Sequence, residues 1–299
     1  MYSRWFNVAV VALWLSTMGW LVTTKVLPSL LVGEPPSYPT ILAAQRADPP
    51  VGWNLFWDNR RLGWAVSKTV PGIQGVTEVR SRVHFDDLPL EQLIPDWLRP
   101  LVPPLGKQRL RVPVDSRSVL VFDPLGRLSR FDSSVELAGQ EPFVRMRGTV
   151  DGSKMALWLR VGELQPFEAE VPVPRDAMLG DMLSPQSRLP GLRLGQTWTV
   201  ESYSPLRPPN SPHEILCAAV ETRTPLPWQG RVQDTLVVVY RPDPGAALGS
   251  AGSPRGRLWV RPDGTVLQQE VSILRATLTF VRMGDGDAAA LAATVGTDE

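Results

Sequence analysis

The chain has 299 residues, with 31 Lys and Arg against 30 Asp and Glu and a formal net charge of +1. A balance so close to neutral excludes the basic field that a nucleic-acid partner would need. A hydrophobic share of 43% in a chain of this length is enough for a large core without disulfides, and the single cysteine, Cys217, has no partner with which to form one inside the chain. The 30 prolines are dispersed among the apolar runs at about twice the usual frequency, which disfavours long helices in the body of the protein.

In chain order, Trp5 to Thr24 comes first, twenty positions without a charged side chain. At about 1.5 Å per residue such a helix spans the roughly 30 Å core of a bilayer. It is longer than the apolar region of a cleavable signal peptide, and no small-x-small cleavage pattern follows Trp20-Leu-Val-Thr-Thr-Lys25. Residues 1–25 are therefore expected to be a single-pass signal anchor in a bacterial cytoplasmic membrane. The lipid bilayer is its partner through residues 5–24, and the bulk of the chain is expected outside, in the periplasm or cell envelope. Arg4 and Lys25 flank the run almost symmetrically, so charge sets this orientation only weakly. Residues 26–50 carry prolines at 28, 35, 36, 39, 49 and 50 and read as a stiff linker.

From 51 to 283, apolar and polar residues alternate with period two between regularly recurring turn residues, the pattern of an antiparallel β domain. Three hairpins stand out. Trp53–Trp57 turns through Asp58-Asn59-Arg60-Arg61 into Leu62–Val66, and Ser118–Phe122 turns through Asp123-Pro-Leu-Gly126 into Arg127–Phe131. Arg257–Val260 turns through Arg261-Pro-Asp-Gly264 into Thr265–Val271. In the last two, Pro presets φ and Gly supplies the left-handed residue. Further strands are expected at Thr77–Phe85, Phe143–Val150, Lys154–Val161, Phe167–Val173, Gln196–Tyr203, Glu214–Thr224, Gln233–Arg241 and Ala276–Arg282, at least a dozen in all. Helical spacing of Leu88, Leu90, Leu93, Ile94, Trp97 and Leu98 predicts a helix over Asp87 to Leu98, and a second short one is expected over Arg175 to Leu183. Residues 284–299, acidic and without aromatics, are expected to be a disordered tail.

Little in this pattern supports catalysis. His213 and Cys217 fall four residues apart on one strand, roughly 13 Å, too far for a nucleophile and its base. A cysteine-dependent hydrolase or transferase is thus a remote alternative, and no catalytic residue is assigned. Two histidines and one cysteine give no zinc spacing, the pair Asp86-Asp87 suits a helix cap, and no phosphate-binding glycine loop occurs, so no metal and no cofactor is expected. Tryptophan is in excess, with eleven copies. Trp53 and Trp57 share one face of a strand and Trp64 is expected to pair across from one of them. The three rings suit core packing and are also the candidate ligand-binding surface.

The stretches Trp53–Trp57 with Arg61-Leu-Gly-Trp64, Leu192-Arg-Leu-Gly195-Gln-Thr-Trp198 and Leu258-Trp-Val-Arg-Pro-Asp-Gly264-Thr-Val-Leu267 resemble, in that order, the β-rich extracytoplasmic domain of membrane-anchored bacterial proteins. Among these is the non-catalytic region that precedes some transglutaminase-like domains. In outline such domains are similar to the half-open barrels of periplasmic lipoprotein carriers, which implies a curved sheet around an apolar cavity. No Cys-His-Asp domain follows Arg282, so the resemblance carries no catalytic residue across. The expected fold class is mainly β: a large antiparallel sheet in the manner of a half-open barrel, one or two short helices, and an N-terminal transmembrane helix. The expected function is binding of an envelope lipid or polymer without catalysis, the alternative being a structural subunit that scaffolds other envelope proteins.

Overall fold

The computed structural model describes residues 4–23, 36–46, 48–89, 111–137, 142–163, 165–172, 185–203, 213–243, 253–273 and 276–296. The expected helix over 175–183 and the greater part of the one over 87–98 lie outside these residues.

The α-helices among the described residues are α1 (Arg4–Leu21), α2 (Tyr38–Gln45) and α3 (Asp285–Val295). The body consists of β1 (Val51–Trp57), β2 (Arg60–Pro71), β3 (Thr77–Pro89), β4 (Arg111–Phe122), β5 (Leu128–Leu137), β6 (Val144–Asp151) and β7 (Lys154–Val161). It continues with β8 (Phe167–Pro172), β9 (Thr197–Tyr203), β10 (His213–Trp228), β11 (Arg231–Pro242), β12 (Gly256–Val260), β13 (Val266–Ile273) and β14 (Ala276–Arg282). All fourteen form one antiparallel sheet in the order β8-β7-β6-β5-β4-β3-β2-β1-β14-β13-β12-β11-β10-β9. The first strand pairs with the last, Trp53 opposite Arg282 and Trp57 opposite Leu278. The two edges, β8 and β9, are successive in the sequence.

The hairpins follow from their turn chemistry. Asp58 and Asn59 take φ of 46° and 67°, the left-handed pair that a two-residue hairpin with right-twisted strands requires. Gly126 and Gly264, both at positive φ, donate their N–H to Asp123 O and Arg261 O at 2.9 Å and close the two Pro-x-Gly turns.

Three expectations change. Asp87, Leu88 and Pro89 extend β3 instead of opening a helix, because after a bulge Leu88 pairs with Val112 and Pro89 with Arg111, and the Leu88 side chain is buried in the core. Part of the linker is helical: Ser37 caps α2 by accepting from Thr40 N, Pro39 suits its first turn, and Ile41 and Leu42 bury against the domain. The acidic tail is α3. Its alanines favour helix, Asp285 and Asp287 suit the positive N-terminus, and Gly296 ends it in the left-handed region. Ala288 and Ala292 are buried, Ala288 so close to Gly52 that a Cβ there would lie 3.0 Å from it. The N-terminal run folds as α1 with Phe6, Leu13 and Trp20 exposed; among the described residues no helix is long and apolar enough to cross a membrane. Ser16 and Thr17 interrupt its apolar surface and return their hydroxyls to Ala12 O and Leu13 O.

Alternation gives the sheet two faces. The inner one carries Val51, Trp53, Leu55 and Trp57 from β1, Ala65 from β2, Val83 and Phe85 from β3, and Leu278 and Phe280 from β14, all in one buried cluster. Trp53 and Leu55 are 0% exposed, and Ala218, Val220, Val238 and Leu258 from β10 to β12 belong to the same buried cluster. A flat sheet would leave these side chains in water, so the sheet curls and packs its inner face against itself.

The end at which α2 delivers the chain to Val51 is here called the base. By the antiparallel register, the β2–β3, β4–β5, β6–β7, β10–β11 and β12–β13 turns all lie there. Residues 185–196 cross it as a plug, with Leu189 in the core. Arg188 forks onto Asp48 at 2.7 and 2.6 Å and reaches Thr265 Oγ1 at 2.8 Å. Gln45 donates to Ser187 Oγ at 2.9 Å, and Arg282 to Ser187 O at 3.2 Å.

Candidate functional site

Among the described residues, one sector of the inner face is only partly covered. Register places Phe131, Gly148, Leu157 and Ala169 in one cross-strand row over β5 to β8. Ser133, Met146, Leu159 and Phe167 form the next row, and Val135, Val144 and Val161 a third. The opposite surface of the same strands is charged: Asp132 accepts from Arg147 at 2.9 Å and Glu170 from Lys154 at 2.9 Å, while the Arg147 guanidinium lies 5.5 Å from the Trp158 ring centre. Period-two alternation thus writes an apolar inner wall and a polar outer one from the same segments.

On this wall Phe131, Val135, Val144, Met146 and Leu159 are only half-buried and Phe167 is exposed, whereas Met155 and Leu157 are covered. Gly148 leaves room for the ring of Phe131, since a Cβ there would sit 2.0 Å from Phe131 Cε1. Toward the sealed core the wall meets a strip of buried serines, Ser81, Ser116 and Ser118, with Ser81 Oγ and Ser118 Oγ 2.6 Å apart. An apolar trough with a few hydroxyls at its back suits a hydrophobic ligand that carries some polar substituents.

The three candidate tryptophans do not share a surface. Trp53 and Trp57, 0% and 8% exposed, belong to the sealed core. Trp53 Nε1 has no hydrogen-bond partner among the described residues, and the Arg282 guanidinium sits 6.0 Å from its ring centre. Burial lowers the pKa of Arg282. Trp64 pairs with Asn54, not with Trp53 or Trp57, and so points to the outer face. There it stacks on His84 at 5.4 Å, with Arg82 6.0 Å away. His84 in turn lies 3.2 Å from Asp115 and 3.3 Å from Asp86. Arg82 donates to Val295 O at 2.9 Å and ties the last turn of α3 to this cluster. Sequence alternation carried the signal for His84 and Asp115, because the two residues pair directly across β3 and β4.

Cys217 is half-buried in β10, with Ala218 O 4.0 Å from its sulfur. His213 is at the start of the same strand, its side chain outside the described residues, and His84 is held in β3 by its carboxylates. Among the described residues no group of three His, Cys, Asp or Glu side chains converges on a metal position.

No family model matches the chain. No curated protein matches it either. Among solved structures, the chain is similar to a β-barrel-like protein, a domain of unknown function from Brucella abortus, at 11% identity and a TM-score of 0.47, over 80% of this chain and 97% of that one. It is also similar to LprF from Mycobacterium bovis at 10% identity and a TM-score of 0.19, over 84% of this chain and 94% of that one. Likenesses this distant assign neither ligand nor activity. The site therefore rests on its own geometry.

Proposed function

We propose that this protein is a binding module of the bacterial cell envelope, held to the cytoplasmic membrane by its N-terminal segment, with the β domain on the extracytoplasmic side. In this reading the sheet works as a half-open barrel, and the inner wall of β5 to β8 holds a lipid acyl chain or the apolar face of an envelope polymer. The observation that carries the reading is the contrast within one continuous face: Trp53, Leu55 and Phe280 are sealed, while Phe131, Met146 and Leu159 stay half-open and Phe167 is exposed. An apolar wall kept partly open in an otherwise closed core costs stability, and ligand binding is the common reason for one. The uncharged stretch Trp5–Thr24 supports the anchor. Binding without chemical conversion is proposed, and Val135 joins the wall to the core cluster that holds Trp53 and Trp57.

The test begins with organic extraction of the purified full chain and mass spectrometry of the extract, with stoichiometric lipid expected. The stripped protein should then bind a fluorescent fatty-acid analogue, and Met146→Glu or Leu159→Glu should weaken binding by about tenfold or more, because a carboxylate is placed on an apolar surface. An empty extract together with no binding of the analogue refutes the reading.

A second reading, a scaffolding subunit for other envelope proteins, draws on the edges β8 and β9, each paired on one side only. Crosslinking in intact cells that recovers only the monomer counts against it.

A further inference from the structure

Among the described residues of the β domain, seven large apolar side chains are exposed: Ile73, Leu125, Phe143, Phe167, Leu194, Ile215 and Val232. Phe143 and Phe167 flank the opening of the trough, and Ile215 is isolated on β10. The other four all lie at the base. Ile73, 86% exposed, tips the β2–β3 turn, and Leu125, 62% exposed, tips the β4–β5 turn. These turns touch, since a Cβ on Gly75 would lie 3.3 Å from Pro124. Val232, 70% exposed, is on the β10–β11 hairpin and Leu194 is on the plug.

That hairpin reaches across the strand ends, because Trp228 Nε1 donates to Arg282 O at 2.8 Å, with three strands lying between β10 and β14 in the sheet. Between it and the β12–β13 turn is a cleft of about 500 Å³ lined by Trp228, Gln229, Arg231, Gln233 and Arg261. Two guanidiniums, two amides and an indole face this cleft; Arg261 lies 3.3 Å from Asp263 of its own turn, while Arg231 has no carboxylate partner among the described residues. The same end exposes Arg46, Arg127, Arg193 and Arg231, none paired with a carboxylate among the described residues. The acids there are occupied in part by their own turns: Asp123 accepts from Leu125 N and Arg127 N, and Asp263 from Thr265 N.

We propose that the base is a membrane-docking face, in which Ile73, Leu125, Leu194 and Val232 enter the headgroup region of an anionic bilayer and the Arg231–Arg261 cleft takes a lipid phosphate. Apolar tips set among cations, of which Arg46, Arg127, Arg193 and Arg231 have no carboxylate partner among the described residues, match an interface that is apolar below and anionic above, and Trp228 is the side chain that favours that boundary. Paired guanidiniums suit a phosphate, whose oxygens accept from the fork of each. The bilayer is favoured over a protein partner because the base is also where α2 brings in the chain from α1. Sixteen residues separate Leu21 from Tyr38, a tether of at most about 55 Å, so an anchored chain keeps the base within constant reach of the surface. In this respect the proposal rests on the anchor reading, and the experiment separates the two.

The full chain, with Cys217→Ser, is reconstituted into vesicles of phosphatidylcholine and phosphatidylglycerol in equal parts. Single cysteines replace Ile73, Leu125 or, at the opposite end of the sheet, Arg61, and each carries a nitrobenzoxadiazole fluorophore. The expected result is a blue-shifted emission, quenched by brominated lipid, at positions 73 and 125 but not at 61. The effect should weaken when phosphatidylglycerol is omitted and in Arg231→Gln/Arg261→Gln. Membrane attachment is read separately, by resistance to alkaline carbonate. If the chain resists carbonate while 73 and 125 are no more quenched than 61, docking is overturned and the anchor stands. If carbonate releases a chain whose tips were quenched before treatment, docking stands and the anchor fails. Emission that changes with protein concentration but not with brominated lipid also overturns docking, in favour of contacts between copies.

Discussion

The clamp across the base gives the sharpest stability test. Asp48 and Arg188 are 140 residues apart and meet in a two-point ion pair at 2.6 and 2.7 Å, with side chains only 11% and 23% exposed. The Asp48 hydrogen bonds raise the pKa of Arg188 against the opposing effect of burial, so the guanidinium stays charged at any usable pH. Asp48→Ala removes two charge-assisted hydrogen bonds and leaves Arg188 with Thr265 Oγ1 and a distant carbonyl. Removing one partner of a fully buried pair costs about 3–5 kcal/mol, and residual solvent at this site lowers the expectation to about 2–3 kcal/mol. For a domain of this size that is a loss of about 5–10 °C in Tm. Urea unfolding of the full chain in detergent, followed by tryptophan fluorescence, reads the change. A cycle with Arg188→Met and the double variant isolates the pair, with a coupling of about 2 kcal/mol expected. Coupling below about 0.5 kcal/mol would falsify the view that the plug is fastened here.

Other outcomes follow from the same structure. Gly148→Ala forces the Phe131 ring off the wall and should cost about 1–3 kcal/mol in urea unfolding; an unchanged midpoint means the ring is not packed there. Ala288→Leu should detach α3 from Gly52 and expose the chain beyond Arg282 to protease, while Ala290→Leu, on the exposed side, should not. Although burial raises its pKa, Asp263 is held below its ordinary value of 3.8 by Thr265, Arg261 and Arg188. A depressed carboxyl stabilises the fold above its unfolded value and loses that contribution as pH falls through its folded one. The Tm gap between Asp263→Asn and the parent should therefore be present at neutral pH and close below about pH 4, and a gap that persists in acid contradicts the assignment.

Much of the fold was legible in the sequence because strand alternation and turn chemistry are local. Asp58-Asn59, Gly126 and Gly264 mark their turns without reference to the rest of the chain. The errors came where tertiary packing decided between local options. Leu88 fits a helical stripe and a strand equally well, and only the presence of Val112 across the ladder selects the strand. Ala288 and Ala292 look like tail residues until Gly52 supplies a groove small enough for them. The tryptophan reading failed at Trp64 for a related reason: a register shift after Leu55 lies between Trp57 and Trp64, and parity across the hairpin could not be counted from sequence alone. The trough was hidden because Phe131, Met146 and Leu159 look like any other inward residues, and only their partial exposure sets them apart.

The pairing of β1 with β14 has a consequence for how the molecule is made. Trp53 and Arg282 are opposite each other, yet more than two hundred residues must be synthesised between them. Until β14 emerges, Val51-Gly-Trp-Asn-Leu-Phe-Trp57 presents an apolar strand with one ladder unsatisfied, the kind of edge that recruits wrong partners. Closure between the ends of the chain is slow for the same entropic reason that makes high contact order slow. The nascent domain thus passes through a long interval in which its most adhesive strand is open, until the last strand arrives.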